Sequence, residues 1–205
     1  MATTLYLQNL TSNIFSTGNT RQYLFMKTTF GAGVVQGNVF TQTAASGTTV
    51  ERQWTDTANG TALLWISDPV DKQQNVSAGA SGTVTFNLWA AEDNMNNNIQ
   101  VGARLFRWSA NNGTETSIAT ANDGVELGTG APAAMNFTVN PAANVVLLKG
   151  DRIVVKFHAA NLAATATTLG TNRCTYNGTT GGANGDSYII LTDNLTFQRR
   201  IAVSP

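Results

Sequence analysis

The stretch TVTFNLWAAEDNMNNNIQVGARLFRW, from Thr83 to Trp108, holds two runs in which apolar and polar residues alternate, separated by an asparagine-rich gap. In the first run Val84, Phe86 and Leu88 fall on one side of an extended chain, and the second run repeats the pattern. A period of two is typical of strands that bury one face, most often in antiparallel sheets. The stretch therefore predicts two half-buried strands joined by AEDNMNNN at residues 91–98.

Alternating runs of the same kind recur along the rest of the chain. AMNFTVN at residues 134–140 and RIVVKFH at residues 152–158 are two examples, and no segment has a convincing helical period. TANG at residues 57–60 stands between two strand-like runs, and its Asn-Gly pair is typical of a hairpin turn. Roughly nine to eleven short strands without helices predict an all-β fold, closed as an antiparallel, jelly-roll-like β-sandwich.

The length of 205 residues suits a single domain. We expect an N-terminal arm or edge strand over residues 1–20, the β-sandwich over residues 21–198 and a C-terminal tail over residues 199–205. Within the sandwich, LLKGDRIVVKF predicts a turn at Gly150 and Asp151, because aspartate bonds to nearby backbone groups and the next strand begins at once.

Charge and cysteine content exclude several classes of function. Twelve basic residues balance twelve acidic ones, so no net field favours nucleic acid or an anionic membrane as a partner. Cys174 is the single cysteine, which rules out an intramolecular disulfide and predicts a half-buried strand residue instead. The opening MATTLYLQNL lacks the basic start and apolar core of a signal peptide, and no run is long enough to span a bilayer. We expect a soluble protein made in the cytoplasm.

Residues that carry catalysis are scarce. His158 is the single histidine and lies on a predicted outward face, without a G-x-S-x-G motif or a nearby nucleophile to serve. The carboxylates Glu92 and Asp93, and likewise Asp123 and Glu126, lie in predicted turns, where solvated carboxylates are the usual case. We therefore expect no enzymatic activity, no cofactor and no zinc site, since the usual His/Cys ligand set is missing.

Two loops hold the oxygen ligands that calcium prefers, namely AEDNMNNN and GGANGDS at residues 181–187, although neither matches an EF-hand loop. The other interpretation is an asparagine-rich connection whose side chains bond to the local backbone. We expect the connection, and therefore no metal site.

Aromatic side chains on the predicted outward faces are the strongest candidates for recognition. Trp89 is in phase with Asn87 on the first strand, while Phe106 and Trp108 share the outward phase of Arg104 on the second. A row of such rings suits stacking on sugars, but aromatic residues and arginine are also enriched at protein interfaces. Low surface charge and many threonines favour the interface.

Five segments of the sequence together resemble a group of tailed-bacteriophage virion proteins, which includes head decoration (cement) proteins and minor tail proteins. The segments are WISDPV, TVTFNLWAAEDNMNNNIQVGARLFRW, GVELG, GDRIVVKF and YNGTTGGANGDSYIILTDNLTF, and the match runs from Trp54 to Phe197. The resemblance implies a jelly-roll-like β-sandwich that forms a homotrimer and docks on the outer surface of an assembled phage head. The resemblance implies no catalytic residues in this chain.

The expected function is a capsid decoration protein, made in the host cytoplasm, that stabilises the head shell by clamping adjacent major capsid proteins. Many weak contacts multiplied by symmetry suit such a clamp. The alternative is a glycan-binding, receptor-binding module on a tail or spike. The candidate interface residues are Leu5, Tyr6 and Leu7 in the arm, Trp89, Phe106 and Trp108 on the strands, and Arg199 and Arg200 in the tail.

Overall fold

Strands make up nearly all the regular structure of the residues that the computed structural model describes, which are residues 1–11, 24–27, 36–42, 52–53, 55–56, 61–62, 64–92, 99–161, 170–176 and 187–198. One 3-10 turn, Gly79–Gly82, is the only helical element among them. No helix in these ranges is long and apolar enough to cross a membrane. In chain order the strands are β1 Thr3–Thr11, β2 Leu24–Lys27, β3 Gln36–Gln42, β4 Arg52–Gln53, β5 Thr55–Asp56, β6 Thr61–Ala62, β7 Leu64–Ile66, β8 Gln74–Val76, β9 Val84–Glu92, β10 Ile99–Trp108, β11 Glu115–Asn122, β12 Ala133–Val139, β13 Val145–Leu147, β14 Arg152–Asn161, β15 Gly170–Tyr176 and β16 Tyr188–Leu191.

The all-β fold predicted from the alternating runs is confirmed. Twelve strands hydrogen-bond in one continuous sheet, in the order β11-β10-β14-β7-β2-β1-β16-β9-β15-β3, with β12 beside β9 and β4 beside β14. Two further pairs, β13-β8 and β5-β6, form small separate sheets. The pairs are antiparallel except β2 with β7, which run parallel.

The long sheet folds over on itself to form the two layers of a sandwich. Phe86 of β9 and Phe157 of β14 lie far apart in the strand order, yet their rings meet edge to face with centroids 6.3 Å apart. Trp65 of β7 meets Phe157 at 5.8 Å, and Phe137 of β12 stacks on Phe86 at 5.2 Å. Burying each of these rings contributes about 1.5–3 kcal/mol, so they hold the layers together. The predicted antiparallel β-sandwich is confirmed.

We call β11, β10, β14 and β7 the first layer, and β1, β16, β9 and β12 the second layer. Strand alternation decides which side chains enter the core between them. Val84, Phe86 and Leu88 of the second layer and Leu105 of the first are completely buried there, as their phase in the sequence predicts.

The N-terminal strand lies inside the sandwich. β1 hydrogen-bonds to β16 on one side and to β2 on the other, so it has no free edge. Leu5 and Leu7 are 1% exposed and belong to the core. Where the sequence predicted an arm or edge strand over residues 1–20, the structure has the inner strand Thr3–Thr11, whose Leu5 and Leu7 are buried, and residues 12–20 lie outside the described residues. The same burial withdraws Leu5 and Leu7 from the candidate interface.

The connection AEDNMNNN does not close a hairpin. β9 pairs with β12, β15 and β16, whereas β10 pairs with β11 and β14, so the two strands are not neighbours. Glu92 ends β9 in the second layer, and Ile99 begins β10 in the first. The predicted connection is thus a crossover between layers, and residues 93–98 within it lie outside the described residues.

The turn predicted at Gly150 and Asp151 is present. β5 and β6 pair antiparallel on either side of residues 57–60, which lie outside the described residues. Gly150 has a φ of 93°, which glycine adopts without strain, and the Asp151 N–H donates to the Leu148 carbonyl oxygen at 2.9 Å. β14 begins at the next residue, as expected.

Candidate functional site

The outward face of the first layer carries a small apolar cluster. Phe106 and Trp108 of β10 are half-buried and pack against Leu64, Ile66 and Val154, which are buried. The register places Phe106 beside Val154, and Val154 beside Ile66, in one row across three strands. The predicted outward phase of Phe106 and Trp108 is correct, and the two rings share one surface.

Charged side chains flank this cluster. The Lys156 ammonium lies 4.5 Å from the centre of the Phe106 ring and forms an ion pair with Glu115 of β11. An aromatic face attracts a cation through its quadrupole. Arg152 donates from Nη1 to the Ser67 carbonyl oxygen at 2.7 Å. The outward face of the first layer is therefore apolar at its centre and charged beside it.

Trp89 faces the opposite way. It is half-buried on β9, between Leu88 and Ala90, whose side chains enter the core. Because β9 belongs to the second layer, its outward face points away from Phe106 and Trp108. The structure thus brings Phe106 and Trp108 together and separates Trp89 from them. Trp89, Phe106 and Trp108 therefore do not form one row of rings, because β9 and β10 lie in different layers, which the sequence does not reveal.

The outward face of the second layer carries a row of aromatic and amide side chains. The register places Tyr6, Tyr188, Asn87 and Asn136 side by side across β1, β16, β9 and β12. The ring centroids of Tyr6 and Tyr188 are 5.7 Å apart, and Asn87 Nδ2 donates to Asn136 Oδ1 at 2.5 Å. The sequence singles out Tyr6 but not this row, which depends on the pairing of the two ends of the chain.

An open cleft of about 340 Å³ lies beside Tyr6. The Thr3 hydroxyl in its wall donates to the Asp193 carbonyl oxygen at 2.8 Å and accepts from the Leu195 N–H at 2.7 Å. These bonds tie the start of β1 to the chain that follows β16 and fix the shape of the wall. The residues that line the cleft, none of them charged, are Ala2, Thr3, Thr4, Tyr6, Asn194 and Leu195.

The small sheet of β8 and β13 exposes two apolar side chains that the sequence did not single out. Val146 and Leu148 are 44% and 46% exposed, whereas Leu147 between them is completely buried. Ser77, which follows β8, donates its N–H and its hydroxyl to the Asp193 carboxylate at 2.8 and 2.7 Å. Val146 and Leu148 therefore project from an element that is fixed to the sandwich.

Two acidic residues lie near the crossover. Glu92 is 1% exposed, and its N–H donates to the Gly128 carbonyl oxygen at 3.0 Å. Burial raises the pKa of the Asp123 carboxyl, although a hydrogen bond from the Val125 N–H opposes the rise. In the part of the chain that the structure describes, no three metal-ligating side chains come together. The loops considered for calcium lie almost wholly outside that part.

Four residues singled out in the sequence remain without a structural account. Arg199 and Arg200 lie outside the described residues. His158 and Cys174 belong to β14 and β15, so Cys174 is a strand residue as predicted, but their side chains are not described. Phe106, Trp108, Tyr6 and Trp89 are thus the candidates that the structure places on outward faces.

Comparison with known proteins finds similar folds among solved structures but does not show a family. No protein-family model matches the chain, and a search of curated proteins gave no match. The fold resembles parts of three hydrolases. They are an aminopeptidase from a marine sediment archaeon, Thaumarchaeota archaeon (10% identity, TM-score 0.59), an α-amino acid ester hydrolase (15%, 0.56) and a CocE/NonD family hydrolase from Staphylococcus aureus (11%, 0.54). Each match covers 93% of this chain and 36% of the hydrolase.

These matches contradict the expectation that the chain is not an enzyme. A scarcity of catalytic residues in a β-sandwich led to that expectation, yet the same fold occurs within three hydrolases. At such low identity the likeness establishes the fold alone, and the chain spans little more than a third of each hydrolase. The likenesses to Eiger TNF from S. frugiperda, with a TM-score of 0.34, and to VP2 of infectious bursal disease virus, at 0.27, are too weak to indicate a shared fold or function.

Proposed function

We propose that the chain is a structural protein of a phage virion that decorates the head by docking, as a homotrimer, on adjacent major capsid proteins. The observation that carries the proposal is the exposed pair formed by Val146 of β13 and Leu148, which directly follows this strand. Apolar side chains that stay exposed next to each other favour contact with another protein. The jelly-roll-like sandwich and the sequence resemblance to decoration and minor tail proteins support the same function.

Packing beneath Val146 and Leu148 fixes the backbone from which they project. Val76 of β8 and Leu147 of β13 are completely buried in the core. The Ala78 N–H donates to Asn144 Oδ1 at 2.7 Å, which closes the end of this small sheet. A surface that is already ordered loses little conformational entropy on binding, so more of the contact energy appears as affinity.

A trimer turns this small contact into firm attachment. Burying the exposed half of two aliphatic side chains gives about 1–2 kcal/mol, which is too little for stable binding by one subunit. Three linked copies on a three-fold axis bind together, because the second and third contacts form at a high effective concentration. A clamp across adjacent capsid proteins needs this arrangement.

Cosedimentation with assembled heads that lack the protein tests the proposal. The test variant is Val146→Asp with Leu148→Asp, and Val125→Asp is the matched control, since Val125 is 58% exposed elsewhere on the surface. We expect the wild type and the control to sediment with heads as trimers, and the double variant to remain in the supernatant. Failure of the wild type to bind heads contradicts the function, whereas equal binding of the double variant contradicts the docking surface.

Hydrolysis must be measured on the same preparation, because hydrolases carry this fold. Nitrophenyl esters and amino-acid nitroanilides are suitable substrates for the full chain. Turnover of either kind of substrate would support an enzymatic role and count against head decoration.

A further inference from the structure

The two outward faces of the sandwich differ in charge. The first layer carries Lys156, Arg152 and Glu115, whereas the outward positions of the second layer carry no charge on its four strands. Lys27 of β2 and Arg173 of β15 are the nearest charged positions in register, on the flanking strands. The outward side chains of the second layer are aromatic, hydroxyl and amide groups, among them Tyr6, Tyr188, Trp89, Thr85, Asn87 and Asn136.

We propose that this face, together with the cleft beside Tyr6, binds a neutral saccharide. A sugar ring has an apolar C–H side and a rim of hydroxyl groups. Tyr6, Tyr188 and Trp89 provide amphipathic rings for the C–H side, and the threonine hydroxyls and asparagine amides provide both donors and acceptors for the rim. The four strands themselves give a phosphate or an acidic sugar no counter-charge, and Lys27 of β2, in register with Tyr6, is the charged position at the end of this row.

Asn87 provides a second, independent observation. Its side chain is only 7% exposed, and Oδ1 has no hydrogen-bond partner among the described residues, although Nδ2 donates to Asn136 Oδ1. A buried amide oxygen without a donor costs free energy, and a ligand hydroxyl bonded to it would remove that cost. Less than 1 Å² of this oxygen is accessible, so a ligand reaches it once the exposed Asn136 side chain turns aside.

The dimensions suit a short oligosaccharide. The cleft volume of about 340 Å³ falls within the range of small-molecule sites. Tyr6 and Asn87 lie two strands apart, which corresponds to roughly 10 Å across the sheet. A disaccharide spans a similar length, so one sugar unit in the cleft leaves the next one over Tyr188 and Asn87.

The test uses the full chain on an array of neutral and acidic oligosaccharides, followed by calorimetric titration of the neutral saccharide that binds best. Asn194→Ala and Asn136→Ala change exposed residues and leave the core intact, while Tyr6→Ala removes the ring beside the cleft. We expect each to weaken binding about fivefold to tenfold. Tyr6→Phe should retain most of the affinity. Trp108→Ala, on the opposite face, is the control and should bind as the wild type does.

Three results would overturn the inference. One is the absence of binding to every neutral saccharide on the array, and another is binding to acidic saccharides alone. The third is a neutral saccharide whose affinity is unchanged by Asn194→Ala, Asn136→Ala and Tyr6→Ala, or falls equally with Trp108→Ala. The array uses the isolated chain and no phage heads, so each of these results leaves the head-decoration proposal in place.

Discussion

Replacing Asp151 by alanine should lower the free energy of unfolding by about 3 kcal/mol, because one buried carboxylate joins three parts of the chain. The Asp151 side chain is 2% exposed. Its Oδ2 accepts from Arg107 Nε at 2.6 Å and from the Leu148 N–H at 2.8 Å, and its Oδ1 accepts from the Ala110 N–H at 3.0 Å. The carboxylate therefore fixes the turn before β14 to the turn after β10.

The magnitude follows from the individual contacts. Alanine leaves two backbone N–H groups without their charged acceptor, at a cost of about 1–1.5 kcal/mol each. The Arg107 side chain is 22% exposed and regains water, so the ion pair adds only about 0.5–1 kcal/mol. Arg107→Ala leaves the buried carboxylate with its two backbone donors but without its counter-charge, so it should cost more than a surface ion pair and less than Asp151→Ala, about 1–2 kcal/mol.

Urea unfolding followed by circular dichroism measures both variants against the wild type. The midpoint should shift while the slope stays constant, because the surface exposed on unfolding does not change. A loss below about 1 kcal/mol for Asp151→Ala would refute the reasoning, since bonds of this kind to a buried carboxylate are stronger than that. An equal loss for Arg107→Ala would also refute it, because the backbone donors would then contribute nothing.

Three further predictions concern packing and charge. Gly82→Ala should prevent folding or cost at least about 3 kcal/mol, because its Cβ would lie 1.7 Å from the Ser77 carbonyl oxygen, whereas Gly128→Ala, with nothing within 4 Å, should be nearly neutral in the same urea assay. Phe86→Ala should cost about 3–5 kcal/mol, since this ring contacts both layers, and a thermal midpoint equal to that of Val146→Ala, an exposed control, would contradict its place in the core. Asp123→Asn should stabilise the protein at neutral pH: burial raises the folded pKa above the usual 3.8, so the native state binds the proton more tightly and loses stability as the pH rises through that raised pKa. The gain over wild type should therefore vanish below pH 3.8, and a gain that is independent of pH would show that burial of the charge is not its cause.

Local features of the fold follow from the sequence because they depend on neighbouring residues. Alternation predicts which side of β9 and β10 faces the core, and Gly150 with Asp151 predicts the turn before β14. Pairing between strands does not follow, because alternation defines the buried face of a strand but not its partner or its layer. The placement of β1 beside β16, at opposite ends of the chain, and the crossover after Glu92 depend on such long-range pairing.

The candidate sites likewise depend partly on local alternation, which the sequence shows, and partly on long-range strand pairing, which it does not. Phe106, Trp108 and Trp89 were identified as outward-facing aromatic residues from their phase alone, but their division between two faces depends on the layers. The exposure of Val146 and Leu148 cannot be predicted from phase, because both lie in the run VVLL, where four consecutive apolar residues show no alternation. Their exposure becomes visible only when Leu147 is seen in the core.

The proposed head decoration is tested most directly by locating the protein in purified phage virions, with cryo-electron microscopy of the intact particle. The proposal predicts regular density over the head shell at three-fold positions between major capsid proteins, with β13 and its exposed Val146 and Leu148 at the contact. Density confined to the tail tip or a fibre, or no density on the particle, would contradict it.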